Sequence, residues 1–327
     1  MFNQLRQVAR ALKSIPNQSA TNFQLWNQST TLCRRSLSSM RFVQFEESGK
    51  CRVGVEVEAG GDYVDLCGSD QTIPDTTLKL IEGGPSLIQQ AQKVVESPDR
   101  RILKKTDVKL LSPITGPQKV ICIGMNYRDH CTEQNYPIPT EPVIFSKFAS
   151  AIIGPNDDVV YPELTDALDW EVELTIVIGK GGKNIKEKDA MDHVFGYTVA
   201  HDVSARDWQM QKNGKQWLLG KTMDDFCPLG PAIVTTDAIS DPHKLGIRCR
   251  VNGEMVQESN TEQMIFKTAS LIQFISQFIT LVPGDIILTG TPPGVGVFRK
   301  PEPVYLKRGD IVECEIDEIG TIRNRIV

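Results

Sequence analysis

The chain has 327 residues, 40% of them hydrophobic and 24% charged, which is enough for one large domain or two moderate ones around a sizeable core. The formal net charge is -5, and no basic cluster interleaved with aromatic residues is present, which argues against nucleic acid as a partner. No apolar run approaches the length of a membrane span, so membrane insertion is not expected either.

The N-terminal stretch carries Arg6, Arg10, Lys13, Arg34, Arg35 and Arg41, with no acid before Glu46 and with Ser, Thr, Asn and Gln between the charges. Leu5, Val8, Ala9 and Leu12 fall on one face of a short helix. This pattern predicts a mitochondrial transit peptide over residues 1–40, processed near Arg34-Arg35 or a few residues later, and a location in the mitochondrial matrix. A disordered basic tail is the alternative reading. The eight cysteines, Cys33, Cys51, Cys67, Cys122, Cys131, Cys227, Cys249 and Cys314, include no CxxC pair, and they read as mostly buried thiols of a reducing compartment.

Beyond the leader, residues 40–45 and 50–57 read as two short strands around a glycine turn, residues 63–66 as a third, and residues 76–97 as helical, broken at Gly83-Gly84-Pro85. This small α+β module, residues 41–108, offers no convincing polar cluster and is expected to be structural. Residues 109–327 form the second module. Lys119–Gly124 reads as a buried strand, with His130 and Glu133 following on a short helix. Further strands are expected at 142–147, 159–161, 170–178, 194–202, 245–251, 285–289 and 311–316, and helices at 187–192 and 261–279. The 25 glycines and 19 prolines fit such a turn-rich, strand-rich chain.

The most telling segment is Asp169-Trp170-Glu171-Val172-Glu173-Leu174, which runs into apolar Ile176-Val177-Ile178. Alternate residues of a strand share a face, so Asp169, Glu171 and Glu173 stand together and Trp170, Val172 and Leu174 opposite them. Like charges at that spacing repel, and their burial is costly unless a hard divalent cation offsets both terms. The other reading is a solvated strand edge facing lysines. Asp202, where an apolar strand turns polar at His201-Asp202, either completes a three-carboxylate site with Glu171 and Glu173 or caps the next helix. Three carboxylates and water suit Mg2+ or Mn2+ better than zinc. His201 reads as a structural strand residue, and His193 and His243 as surface residues.

Arg206 and Gln209 lie three apart on a predicted helix, and with Lys221 they make a candidate holder for a dicarboxylate or keto acid. A loop lysine paired to Asp224 or Asp225 is the bland reading of Lys221. His130 and Glu133 form an i,i+3 pair in which the carboxylate fixes the imidazole tautomer and raises its basicity. Gly290-Thr291-Pro292-Pro293-Gly294-Val295-Gly296 has glycines but neither the lysine nor the helix of a phosphate loop, so no nucleotide or organic cofactor is expected. It reads as a rigid loop presenting backbone N–H groups and the Thr291 hydroxyl.

Five ordered segments together resemble the fumarylacetoacetate hydrolase superfamily: residues 124–130, residues 169–174, residues 196–207, Gly220-Lys221-Thr222 and residues 288–296. The resemblance implies a mainly β fold with α elements, a mixed β-sandwich roll around a cleft, and a homodimer. It implies Mg2+, or Mn2+, on Glu171, Glu173 and Asp202, and a mobile element bearing His130 and Glu133. Arg206, Gln209, Lys221, Thr291 and Lys147 are then expected to line the pocket. Members of the family include hydrolases, decarboxylases and isomerases of related keto acids, linked by a metal-stabilised enolate. For this branch the resemblance implies a tautomerase that converts enol-oxaloacetate to the keto form, with Lys221 or His130 as proton carrier. The alternatives are an acylpyruvate hydrolase or oxaloacetate decarboxylase, and a noncatalytic keto-acid-binding protein.

Overall fold

The computed structural model describes residues 39–327. The expected leader therefore lies, up to residue 38, outside the described residues, as does Cys33.

The strands in chain order are β1 (Arg41–Glu47), β2 (Lys50–Glu56), β3 (Tyr63–Asp65), β4 (Ile102–Leu103), β5 (Lys109–Leu111), β6 (Val120–Gly124), β7 (Val143–Lys147), β8 (Ile152–Ile153) and β9 (Leu168–Asp169). They continue as β10 (Val172–Ile178), β11 (Val194–His201), β12 (Ser204–Ala205), β13 (Cys227–Thr235), β14 (Gly246–Val251), β15 (Glu254–Asn260), β16 (Ile286–Leu288), β17 (Ile311–Ile316) and β18 (Gly320–Arg325). The helices are α1 (Leu66–Ser69), α2 (Thr77–Glu82), α3 (Gly84–Glu96), α4 (Arg128–Glu133), α5 (Arg206–Met210), α6 (Leu218–Lys221) and α7 (Thr268–Phe278).

A mixed sheet runs β4-β3-β2-β1-β13-β11-β10-β16-β6-β7, with β5 added on β1 and β8 on β13. The β16–β6 and β13–β8 pairs are parallel, while the pairs on either side of β10 are antiparallel. A second, four-stranded sheet of order β15-β14-β17-β18 lies against β10, β11 and β13. All seven residues of β10 and all eight of β11 are buried. That is the signature of central strands covered on both faces, and it explains their nearly continuous apolar sequence.

The expected fold class holds: strands dominate, and two packed sheets carry short helices. Several local expectations change. Residues 159–161 form no strand, and Val159 makes only an isolated bridge to Ile326. Residues 187–193 are 3-10 helix, and the α-helix expected over 261–279 is confined to α7, after a 3-10 turn at Thr261–Gln263. The long β13 and the outer strands β15 and β18 escaped the sequence reading, because Pro228, Gly230 and Pro231 interrupt the first and polar residues fill the others. His193 is buried, its Nδ1 2.7 Å from the Lys180 carbonyl, and His243 is partly buried against Thr268, so neither is a surface histidine. The seven described cysteines are all free thiols.

β1 joins the large sheet directly, pairing Arg41 with Val234 and Phe42 with Ile233 of β13. The sheet is therefore continuous across the boundary expected near residue 108. Beyond β13 in the same sheet, β10 and β11 run antiparallel with Val172 opposite His201. That register brings the residues flanking their ends, Glu171 and Asp202, side by side, and the Asp202 N–H donates to the Glu171 carbonyl at 2.8 Å.

Candidate active site

The strand pair converts a sequence pattern into a cluster. Ligand oxygens of Glu171, Glu173 and Asp202 lie within 4.8 Å of one another, and all three side chains are buried. They do not sit on a solvated edge. Asp202 does not cap the helix that follows, since α5 begins after Ala205 and without a side-chain cap. Asp169 occupies the short β9, where it pairs with Ser204 of β12 rather than continuing β10.

Three buried cations face these carboxylates. Lys221, at the end of α6, donates from Nζ to Glu171 Oε2 at 2.7 Å and to Asp202 Oδ2 at 2.9 Å, not to Asp224 or Asp225. Lys147, at the end of β7, ion-pairs with Asp202 Oδ1 at 2.7 Å and donates to the backbone carbonyls of Val203 and Lys221. Arg206, at the start of α5, donates from Nε to Asp169 Oδ2 at 2.8 Å and from Nη1 to Gln209 Oε1 at 2.8 Å. Its Nη2 stands 2.7 Å from Glu171 Oε1. Lys147, Lys221 and Arg206 thus oppose four carboxylates, and Glu173 is the one with no cationic side chain paired to it among the described residues.

The electrostatics follow from that inventory. Burial pushes the Glu171 carboxyl up, but the charges of Lys221 and Arg206 outweigh it and hold the group at about 2. Glu173 goes the other way: burial and then the charges of Asp202 and Glu171 raise it well above the ordinary carboxylate range. Burial works against the ammonium of Lys221, yet Asp202 and Glu171 overcome it and raise the group. His201, buried and next to Lys147, is pushed down to about 3 and is neutral. A cluster of hard oxygen donors with one uncompensated buried carboxylate fits a divalent cation such as Mg2+ or Mn2+. The donor set contains neither sulfur nor imidazole.

The 290–298 loop closes one side. Gly290 donates its N–H to Glu173 Oε2 at 2.7 Å with φ +98°, and a side chain there would meet Asn126 and the Ile123 carbonyl, so only glycine serves. Gly294 donates to Glu133 Oε1 at 3.0 Å, while Gly296 and Val297 donate to Asp169 at 2.7 and 2.9 Å. The loop N–H groups expected to face a ligand are therefore spent on site carboxylates. The Thr291 hydroxyl donates to the Val172 carbonyl at 2.9 Å and accepts from Gln257 Nε2 at 2.8 Å.

His130, on α4, has Nδ1 3.1 Å from Glu133 Oε2 and Nε2 2.8 Å from the Gln134 amide nitrogen. His130, Glu171, Glu173, Arg206, Gln209, Lys221 and Thr291 all border one cavity of about 100 Å³. Lys147 lies behind Asp202 and does not line it. The residues that sequence reasoning missed are those that hold or wall the site. Asp169 was noticed only as part of the acidic strand. Asn126 ties the segment after β6 to Phe266 and Thr289, and Gln257 braces Val172 and Thr291. Phe145, Trp217 and Phe298 form apolar wall. Asn126 follows β6, Gln257 lies among the polar residues of β15, Phe145 is in β7, and Trp217 and Phe298 are outside the strands, so no pattern in the sequence marks them.

Comparison with known proteins places the chain. Residues 119–327 match the family described as fumarylacetoacetate (FAA) hydrolase C-terminal. The chain is 60% identical over 310 residues to the oxaloacetate tautomerase fahd2, mitochondrial, of Xenopus laevis, covering 93% of this chain and 97% of that one. It is 58% identical over 290 residues to the oxaloacetate tautomerase FAHD2A, mitochondrial, of Homo sapiens, covering 88% and 92% respectively. Among solved structures, the fumarylacetoacetate hydrolase of Exiguobacterium antarcticum superposes with a TM-score of 0.77 at 39% identity, over 88% of this chain and 99% of the other. The maleylpyruvate hydrolase of Sphingobium sp. SYK-6 does so with a TM-score of 0.72 at 31% identity, again over 88% and 99%. With the fold, the ordered motifs and these matches in agreement, the chain belongs to the fumarylacetoacetate hydrolase family.

Proposed function

We propose that the protein is a mitochondrial oxaloacetate tautomerase that converts the enol form of this keto dicarboxylate to the keto form. The observation that carries the reading is the uncompensated Glu173 carboxylate next to Glu171, which Lys221 and Arg206 pair, in a cavity of about 100 Å³, a size suited to a small polar acid. The 60% and 58% identical relatives are mitochondrial oxaloacetate tautomerases by name, which supports the substrate and the compartment. Glu171, Glu173 and Asp202 would hold the divalent cation, with Mg2+ the first choice. When bound, it supplies Lewis-acid stabilisation of negative charge on the keto-acid oxygens.

The chain's own residues account for the rest. Arg206, set by Asp169 and Gln209, presents a planar fork suited to a carboxylate. Tautomerisation removes the enol O–H proton and delivers a proton to carbon. His130, with Nδ1 directed at Glu133, takes the hydroxyl proton at Nε2 once the substrate hydroxyl replaces the Gln134 amide that donates to that nitrogen. The Lys221 ammonium, aimed by Glu171 and Asp202, delivers the other. Lys147 supports Asp202, and Thr291 positions the loop over the cavity. Residues 41–108 act as a structural module beside the 109–327 catalytic domain. A homodimer is the assembly the family resemblance supports, and light scattering at twice the chain mass tests it.

The test of activity is the ultraviolet decay of freshly dissolved enol-oxaloacetate with protein and Mg2+, with pyruvate assayed in parallel. Decay without pyruvate is expected, lost with EDTA and reduced about a hundredfold or more in Glu173→Gln. Decay unchanged in both removes the metal from the reading. Lys221→Met and His130→Gln, each with Mg2+ binding verified by calorimetry, test the proton carriers; an unchanged rate removes that residue from the role. The His130–Glu133 pair also suits activation of water, which favours acylpyruvate hydrolysis as the second reading. Pyruvate formed in step with enol decay would instead make the protein a decarboxylase.

A further inference from the structure

The 100 Å³ cavity has a larger neighbour. A surface groove of about 790 Å³ runs along β7 and the segment before α6, lined by Val143, Ile144, Ser146, Phe148 and Leu218 among others. Two residues, Phe145 and Trp217, border both spaces. Their rings meet edge to face, centroids 5.3 Å apart at 61°, and form the wall between them. The wall is anchored at the site, since Lys221 Nζ stands 4.9 Å from the centre of the Phe145 ring. The strand β6 makes room for it: a Cβ on Gly124 would approach the Trp217 ring to 2.7 Å.

Resting on the keto-acid reading above, we propose that Trp217, backed by Phe145, sets the upper length of the acid the site accepts. The α-keto acid head would be fixed by Arg206 and by the cation that Glu171, Glu173 and Asp202 would hold, and the far end of the molecule then meets the indole. A short dicarboxylate fits in front of the wall. An acylpyruvate with a longer acyl chain needs the space behind it, which the groove provides only when the indole is gone. The wall thereby selects a compact substrate on a fold whose relatives include hydrolases of larger diketo acids. Each methylene that an apolar wall refuses is worth about 10–200-fold in discrimination, so one aromatic side chain suffices.

The test is calorimetric binding of a straight-chain acylpyruvate series, acetyl to octanoyl, to the Mg2+-loaded full chain, with inhibition of enol-oxaloacetate decay as the second readout. Wild-type affinity is expected to fall about tenfold or more from the acetyl to the hexanoyl compound. Trp217→Ala is expected to abolish that fall, Phe145→Ala to do the same as an independent opening, and Trp217→Phe to retain it. Equal wild-type affinity along the series, or an unchanged fall in both alanine variants, overturns the inference. Absence of any acetylpyruvate binding to the wild type overturns the keto-acid reading and the inference with it. Binding with normal length discrimination but no tautomerisation overturns only the assigned reaction.

Discussion

Asp169 shows how much a single buried residue organises. Its carboxylate accepts from the N–H groups of Trp170, Gly296 and Val297 and from Arg206 Nε, so one side chain fixes β9, the 290–298 loop and the guanidinium that borders the cavity. Removing the charge leaves Arg206 buried with Glu171 alone. Asp169→Asn is therefore expected to lower stability by about 3–5 kcal/mol, the range for breaking a buried pair from one side. Urea denaturation measures this, and a loss below 1 kcal/mol would show that the pair is dispensable. The same variant is expected to raise KM for oxaloacetate more than it lowers kcat, because the role proposed for Arg206 is to bind the carboxylate and not to transfer protons. The role of Asp169 was only half legible in the sequence: its position on an acidic strand face was plain, but its four donors come from segments up to 128 residues away. Trp217 was not legible at all, since nothing in the order of residues reveals that a loop indole will seal a cavity.

At the scale of elements, the antiparallel pairing of β10 with β11 makes the site, and that pairing could be anticipated because both strands are apolar runs that turn acidic at one end. Helix α7 illustrates the opposite case. Its amphipathic face was evident, but its start is set by a residue distant in sequence: the Thr268 N–H donates to His243 Nε2 at 3.2 Å, with the Thr268 hydroxyl 3.0 Å away. A protonated His243 cannot accept that bond. Burial, and then the charge of Lys267, lowers the His243 pKa below the ordinary 6.5, against a smaller opposing effect of Asp241. The unfolded chain therefore takes up the proton first as pH falls. The stabilisation is complete above about 6.5 and is lost progressively as pH drops through the lowered folded value. We expect about 1 kcal/mol to be lost in this way. His243→Gln should flatten that part of the stability profile, and an unaltered slope would assign it to other groups.

For the whole molecule, the decisive feature is that β1 belongs to the large sheet. Phe42 is fully buried, opposite Ile233 of β13, and its ring centroid lies 5.4 Å from that of Phe195 on β11. The contact couples the leading module to the strand that delivers Asp202. Phe42→Ala is expected to destabilise the protein by about 3–5 kcal/mol, the range for emptying a large aromatic site. Guanidinium unfolding followed by both fluorescence and circular dichroism should show one shifted transition. Two separated transitions, with only the first shifted, would mean that residues 41–108 unfold independently of the catalytic sheet.

The sequence by itself determined what is local: the buried central strands, the acidic pair at i and i+2, the switch from apolar to acidic at His201-Asp202, the His130–Glu133 pair and the ordered motifs of the family. These depend on backbone periodicity and on residue chemistry, which a linear order records directly. The tertiary structure decided what depends on distance between remote segments. It brought Lys147, Lys221 and Arg206 to the carboxylates, left Glu173 without a paired cation, placed Lys147 behind Asp202, and spent the loop N–H groups on Asp169, Glu133 and Glu173. It also raised the Phe145–Trp217 wall. Charge balance and cavity volume are sums over neighbours in space, and those neighbours are chosen only when the sheets close.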